Sequence, residues 1–337
     1  MATLSDVAAL AGVSISAVSR VLSDSPATRV RPETRARIHA AALQLDYRPN
    51  FAARALKLAR SNVIALIVPD LTNAVFTELM QGVQQGAFGR DYMVLLGRAE
   101  DIQPGGDTIG RLIGEGRVDG MLVQLGTDAD REGIESVLNA KAPVVFINSI
   151  EPGHVGAVAL DDDAGARVAT RHLIERGHTR IALAGGTATT FTAQRRERGF
   201  RAAMADAGLP VVEEYVTSFG YLPADGRRAL RELMALPEPP TALFVANVNA
   251  AIGALAEARA LHVRIPDDLS VVALHDAWTA ENTWPPLTTV KMPLRELGER
   301  AVESLYLRLK GGEVDDVVVD DPAPELILRE STAVIDR

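Results

Sequence analysis

The 337-residue chain has no cysteine, which excludes structural disulfides and thiolate metal sites. No apolar run approaches the ~20 residues of a membrane span. The first ten residues hold Asp6, no basic residue and no apolar stretch long enough for a secretory signal, so a cytoplasmic location is expected. The six histidines are scattered, none at metal-ligand spacing with carboxylates, and neither metal nor cofactor is expected. Gly185-Gly186 follows an apolar run, but neither a GxGxxG nor a GKS/GKT pattern occurs. His178 has no nucleophile-elbow motif near it. Asp161-Asp162-Asp163 resembles a cation site superficially, yet it reads more readily as strand end, helix cap and first turn before a helix over Ala164–Ile174. No catalytic residue is assigned, and the chain is not expected to be an enzyme.

What is present is ordinary in amount and uneven in distribution. Hydrophobic residues make up 47% and charged residues 23%, a soluble globular composition with length enough for two or three domains. The net charge is −9, but residues 1–60 carry nine Arg or Lys against Asp6, Asp24, Glu33 and Asp46. That leaves a head of +5 on a body of −14. A basic head on an acidic body suits a phosphate-binding module joined to one that does not touch nucleic acid, although a solvated basic face looks the same by charge alone.

The head reads as three short helices. Thr3 and Asp6 have capping-box spacing, with Leu4, Val7, Ala8 and Leu10 supplying an apolar face over Leu4–Leu10. Gly12 suits a left-handed turn. Ser14 caps a second helix that turns Val18, Val21 and Leu22 inward and leaves Ile15, Ser16, Ala17, Ser19 and Arg20 outward. Two short helices joined by a glycine turn predict a helix-turn-helix whose second helix enters the major groove. A third helix follows Pro32, with Ile38, Ala41, Ala42 and Leu45 at core spacing. After Tyr47-Arg48-Pro49-Asn50, residues 51–58 have helical spacing but too little length for independent stability, as expected of a hinge that folds on binding.

The run TLSDVAALAGVSISAVSRVL, followed by RPETRARIHAAALQLDYRPNFAARAL, resembles the lactose-repressor (LacI) family. VPDLTNAVF, HLIERGHTRIALAGG, LFVAN, PPLTTV and LILRES recur in that family's order, so the resemblance covers nearly the whole chain. It implies that Ile15, Ser16 and Arg20 read bases, with Arg20 able to pair bidentately with guanine. It implies phosphate contacts from Thr3, Ser14, Ser19 and Asn50. Leu56, with Ala53, matches the hinge that wedges into the minor groove; the plainer alternative is that both are buried helix residues. Two departures concern the segment Ser23–Arg31. It is longer than the family pattern by about two residues, and Arg31 replaces the usual hydroxyl residue before Pro-Glu-Thr.

From Asn62 onward, apolar runs alternate with helical patterns twice over, which predicts an α/β core of two doubly wound lobes; the family resemblance implies that this core is periplasmic-binding-protein-like. The expected organisation is a helix-turn-helix domain over 1–48, a hinge and linker over 49–61, and an effector-binding and dimerisation core over 62–337. Crossovers are expected near 161 and 286, with a ligand at the C-terminal ends of the strands. The resemblance assigns Asn73, Phe76, Arg196, Tyr221, Asn247 and His275 to that ligand. The plainer alternative for Phe76 and Tyr221, less favoured than the ligand role, is that they are core aromatics. Val248 and His275 depart from the family pattern, His275 standing where a carboxylate is usual. A neutral imidazole offers one donor and one acceptor, so a sugar or related metabolite with an anionic or acceptor group near Arg196 and His275 is expected. Trp278 and Trp284 flank this loop; one reading packs one of them on the ligand, and the favoured one makes Trp284, next to Pro285-Pro286, structural.

The expected partners are a palindromic double-stranded operator, a small-molecule effector and a second copy of the chain, with no membrane. The resemblance puts the homodimer interface near Phe76–Arg90 and around Pro285, and no leucine heptads follow Ser331. The competing reading is a solute-binding protein without a regulatory role.

Overall fold

A computed structural model describes residues 2–22, 30–48, 60–99, 112–126, 143–149 and 156–335. The chain divides into two compact units, Met1–Ser61 and Asn62–Arg337.

The first unit contains α1 (Leu4–Ala11), α2 (Ile15–Leu22) and α3 (Pro32–Gln44). Thr3 caps α1: its Oγ1 accepts from the Asp6 amide at 3.3 Å, and its own amide donates to Asp6 Oδ2 at 2.8 Å. Gly12 ends the helix at φ 64°, a left-handed conformation that glycine adopts without steric cost. The chain then turns by 106° into α2, which the Ser14 hydroxyl caps by accepting from the Ala17 amide at 3.2 Å. Val7, Ala8, Ala11, Val18, Val21, Ile38, Ala41 and Ala42 form the core of this unit. Leu10 is not part of it. It is 47% exposed, because the inward face of α1 runs 4, 7, 8, 11 and position 10 falls a residue short of it. The Ser23–Arg29 segment and the hinge positions Asn50, Ala53 and Leu56 lie outside the described residues.

The second unit is built on parallel sheets. One has the order β2-β1-β3-β4, from β1 (Val63–Val68), β2 (Met93–Arg98), β3 (Gly120–Val123) and β4 (Val144–Phe146). β5 (Val158–Leu160) joins it through a bridge between Ile147 and Val158 and pairs with β11 (Val317–Val319). The other has the order β12-β10-β9-β8-β6-β7. Its strands are β6 (Ile181–Gly185), β7 (Val216–Ser218), β8 (Ala242–Val245), β9 (Ser270–Leu274), β10 (Thr288–Lys291) and β12 (Glu325–Ile327), and only β12 runs antiparallel. Runs such as VIALIV and ALFV are buried along almost their whole length, as parallel strands covered on both faces must be.

Helices α4 (Phe76–Phe88) and α10 (Leu294–Leu309) pack together on the first sheet. Helices α5 (Asp162–Glu175), α6 (Phe191–Asp206), α7 (Pro223–Met234), α8 (Val248–Ala260) and the short α9 (Trp278–Glu281) belong to the second. The chain crosses between lobes after β5 and again after Lys291, since Thr288, Thr289 and Val290 are still buried and paired with β9. A third, which the sequence did not reveal, lies between β11 and β12.

The chain's end is tied into the second lobe. His178 sits 3.0 Å from both Thr241 Oγ1 and Ser270 Oγ and 3.2 Å from the Ala333 carbonyl, a structural use of a histidine that sequence left unassigned. His172 lies 2.9 Å from Thr332 Oγ1, and burial lowers its pKa to about 4.

Candidate nucleic-acid interface and ligand site

On α2 the polar and apolar faces separate cleanly. Val18 and Val21 are buried, whereas Ser16 and Arg20 are exposed and Ile15 is half exposed. Arg20 Nε donates to the Ser16 carbonyl at 3.1 Å, which lays the guanidinium along the outer face. Ser19 is partly exposed beside them. Thr3 and Ser14, the two cap residues, are exposed at the starts of α1 and α2. The six described head positions singled out from sequence therefore all reach the surface of one unit, and no core function competes for Ile15, Ser16 or Arg20.

In the body, β6, β8 and β9 are adjacent and parallel, so their C-terminal ends share one edge. Gly186, Asn247 and His275 follow these ends. Arg196, on the second turn of α6, is buried at this edge and 4% exposed. Its Nε donates to Asp162 Oδ1 at 2.8 Å, its Nη1 to the Ala246 carbonyl at 2.7 Å, and its Nη2 to His275 Nε2 at 2.9 Å. Its guanidinium carbon stands 5.3 Å from the centroid of Tyr221, a cation–π arrangement. The Tyr221 hydroxyl and Thr192 Oγ1 are 2.9 Å apart. A Cβ on Gly186 would collide with the Tyr221 ring, so this glycine gives the aromatic its room.

Burial sets the electrostatics. It pushes the Asp162 carboxyl above the usual carboxylate range, against the pull of Arg196. It also works most strongly against charge on Arg196, but Asp162 and Tyr221 together outweigh that and hold the guanidinium above its ordinary value. Burial first, and Arg196 second, holds the His275 imidazole well below its ordinary value, hence neutral. Two side-chain atoms of the cluster, Asp162 Oδ2 and His275 Nδ1, are buried with no hydrogen-bond partner among the described residues.

Arg196, Tyr221 and His275 are thus assembled together, with Asn247 next to the carbonyl that Arg196 grips. Asn247 Oδ1 is occupied by the Asn249 amide at 2.6 Å, where it caps α8. Asn73 and Phe76 lie after β1 in the other lobe. Asn73 Oδ1 accepts from the Val75 amide at 3.1 Å, and Phe76 packs in the core. No described hydrogen bond joins either to the Arg196 cluster. Sequence reasoning missed Asp162 as a partner of Arg196. As the middle of three acids it looked like part of a helix start, and indeed Asp161 caps α5 by accepting from the Ala164 amide at 3.2 Å. Asp276 bonds Arg329 and Thr289 and braces the second sheet. Trp284 corrects an expectation. It is 88% exposed and Trp278 65% exposed, so neither is packed as a structural residue within the chain. Among the described residues no cluster of potential metal ligands occurs, and no single helix is long and apolar enough to cross a membrane.

Comparison with known proteins agrees with both halves. Residues 3–50 match the lacI family of bacterial regulatory proteins, and residues 170–332 match a periplasmic binding protein-like domain. The chain is 33% identical over 335 residues to the HTH-type transcriptional repressor PurR of Vibrio cholerae, covering 98% of each. A LacI family transcriptional regulator from Mycobacterium smegmatis is 45% identical, with a TM-score of 0.75 over 80% of this chain and 99% of that one. The lac repressor dimer bound to operator and the anti-inducer ONPF is 25% identical, with a TM-score of 0.81 over 98% of this chain and 99% of that one. A helix-turn-helix head, a two-lobed α/β body and full-length similarity to repressors make this chain a DNA-binding transcriptional regulator of the LacI family.

Proposed function

We propose that the chain is a non-enzymatic repressor that acts in the cytoplasm as a homodimer on a palindromic operator, under the control of a small molecule bound at the Arg196 edge. The observation that carries the DNA half is the outward triad Ile15, Ser16 and Arg20 on a helix turned 106° from its predecessor. In this reading these three residues read base edges, Thr3, Ser14, Ser19 and Asn50 hold phosphates, and Leu56 with Ala53 enters the minor groove. Pairing supplies the second half-site. Exposed Phe88 on α4 and exposed Trp278 and Trp284 support pairing through the two regions expected from sequence, and exposed Met93, Leu95 and Leu96 on the edge strand β2 extend the first of them. The effector contacts Arg196, Tyr221, Asn247 and His275 from one lobe, and Asn73 and Phe76 from the other. It changes the balance between two lobe arrangements and so the DNA-bound population.

The test is selection of duplexes from a random pool, followed by binding measured across salt concentration. A palindromic consensus and a steep negative salt slope are expected. Loss of both in a chain lacking residues 1–61, with ligand-dependent stabilisation of that shortened chain retained, separates this reading from a solute-binding protein without a regulatory role.

A further inference from the structure

Resting on the reading of the body as an effector sensor, we infer that the effector presents a hydrogen-bond acceptor to Nδ1–H of His275: a carbonyl or carboxylate oxygen, or an unprotonated ring nitrogen. The direction of one bond decides this. A guanidinium has five N–H donors and no lone pair to offer. Arg196 Nη2 lies 2.9 Å from His275 Nε2, so Nε2 accepts, and the proton of the neutral ring is on Nδ1. The opposite tautomer would set N–H against N–H, and an imidazolium would set two cations in contact in a buried site.

Nδ1–H is then a donor with nowhere to go. His275 is 2% exposed, and its Nδ1 has no partner among the described residues. A buried donor left so destabilises the site, and a ligand acceptor would recover that loss. The residue directly follows β9 and holds φ 67°, a left-handed backbone uncommon for histidine. No acceptor of its described neighbours lies within bonding reach of Nδ1. The Thr192 and Tyr221 hydroxyls bond each other, Asn247 Oδ1 is taken by the Asn249 amide, and the Ala246 carbonyl is taken by Arg196. Asp162 Oδ2, the other orphan, is not bonded to it. Arg196 uses three of its five N–H groups within the protein. The His275 side of the site therefore offers donors, which an acceptor-only group answers without a proton of its own to place.

Two measurements on the full chain test the inference. Long-range proton–nitrogen correlation of the histidine rings at neutral pH, assigned with His275→Asn, should show His275 as the Nδ1–H tautomer; an Nε2–H tautomer or an imidazolium overturns it. Calorimetry against aldonates, aldonolactones, oxo acids and oxo-heterocycles, beside polyols of matched size, gives the second reading. Both Asn and Asp tolerate a positive φ, so His275→Asn and His275→Asp keep the backbone. The Asn amide keeps a donor near the Nδ1 position, whereas Asp makes it acceptor-only. Binding of acceptor-bearing compounds, kept within a few-fold by His275→Asn and weakened at least tenfold by His275→Asp, is expected. Binding of polyols alone, or tighter binding of acceptor-bearing compounds by His275→Asp, overturns the inference while leaving the sensor reading intact. A panel in which nothing binds and nothing alters affinity for DNA overturns the sensor reading and the inference with it.

Discussion

Among the described residues of the body, Asp162 and Arg196 are the most deeply buried ion pair, at 0% and 5% side-chain exposure. A buried pair adds little net stability over an apolar one, but breaking it strands a charge. Asp162→Ala is therefore expected to lower unfolding stability by about 3–5 kcal/mol in denaturant titrations, while an exposed pair such as Arg228–Glu232 should be worth under about 1 kcal/mol. The histidines give a second residue-level prediction. His172, His178 and His275 all have folded pKa values depressed by burial, His172 to about 4. A histidine held neutral in the fold is protonated sooner when unfolded, so its contribution is complete above pH 6.5 and is lost as pH falls toward the folded value. Stability should fall between pH 6.5 and 4. His172→Gln should flatten that fall by at most about 2 kcal/mol between pH 7 and pH 5, read from unfolding curves.

At the scale of elements, the short helices of the head depend on their ends. An eight-residue helix is marginal alone, and α1 is held by the reciprocal Thr3–Asp6 cap and by Gly12. Thr3→Ala should cost about 1 kcal/mol of head stability and weaken binding to all duplexes alike. Arg20→Ala should instead cost about 1–3 kcal/mol on the selected operator and relax preference at one base pair, with head stability unchanged. Competition binding against single-base variants distinguishes the two. In the body, Gly186→Ala places a methyl where the Tyr221 ring lies, and should weaken effector binding through Tyr221 and Arg196 with little effect on affinity for DNA. Most elements are legible from sequence, because runs such as SVVAL and ALFV, bounded by turns, have the period of buried strands. The short β11 and β12 are not, since VVV and ELI acquire their strand character only by pairing with β5 and β10.

At the scale of the whole molecule, charge and topology divide the labour. The basic head and acidic body were visible in the residue count, as was the helix-turn-helix, because caps, glycine turn and inward valines are all local features. Arg196 was singled out by resemblance, not by local features. They could not show that Asp162, Ala246 and His275 converge on it, since those residues are 34, 50 and 79 positions away and meet only where parallel strands end together. Sequence by itself determined the kind of protein and the residue types at the ligand edge, through periodicity, caps and resemblance. Only the tertiary structure decided which nitrogen of His275 is occupied, and so which polarity remains, because a hydrogen bond's direction depends on a partner that chain order does not bring near.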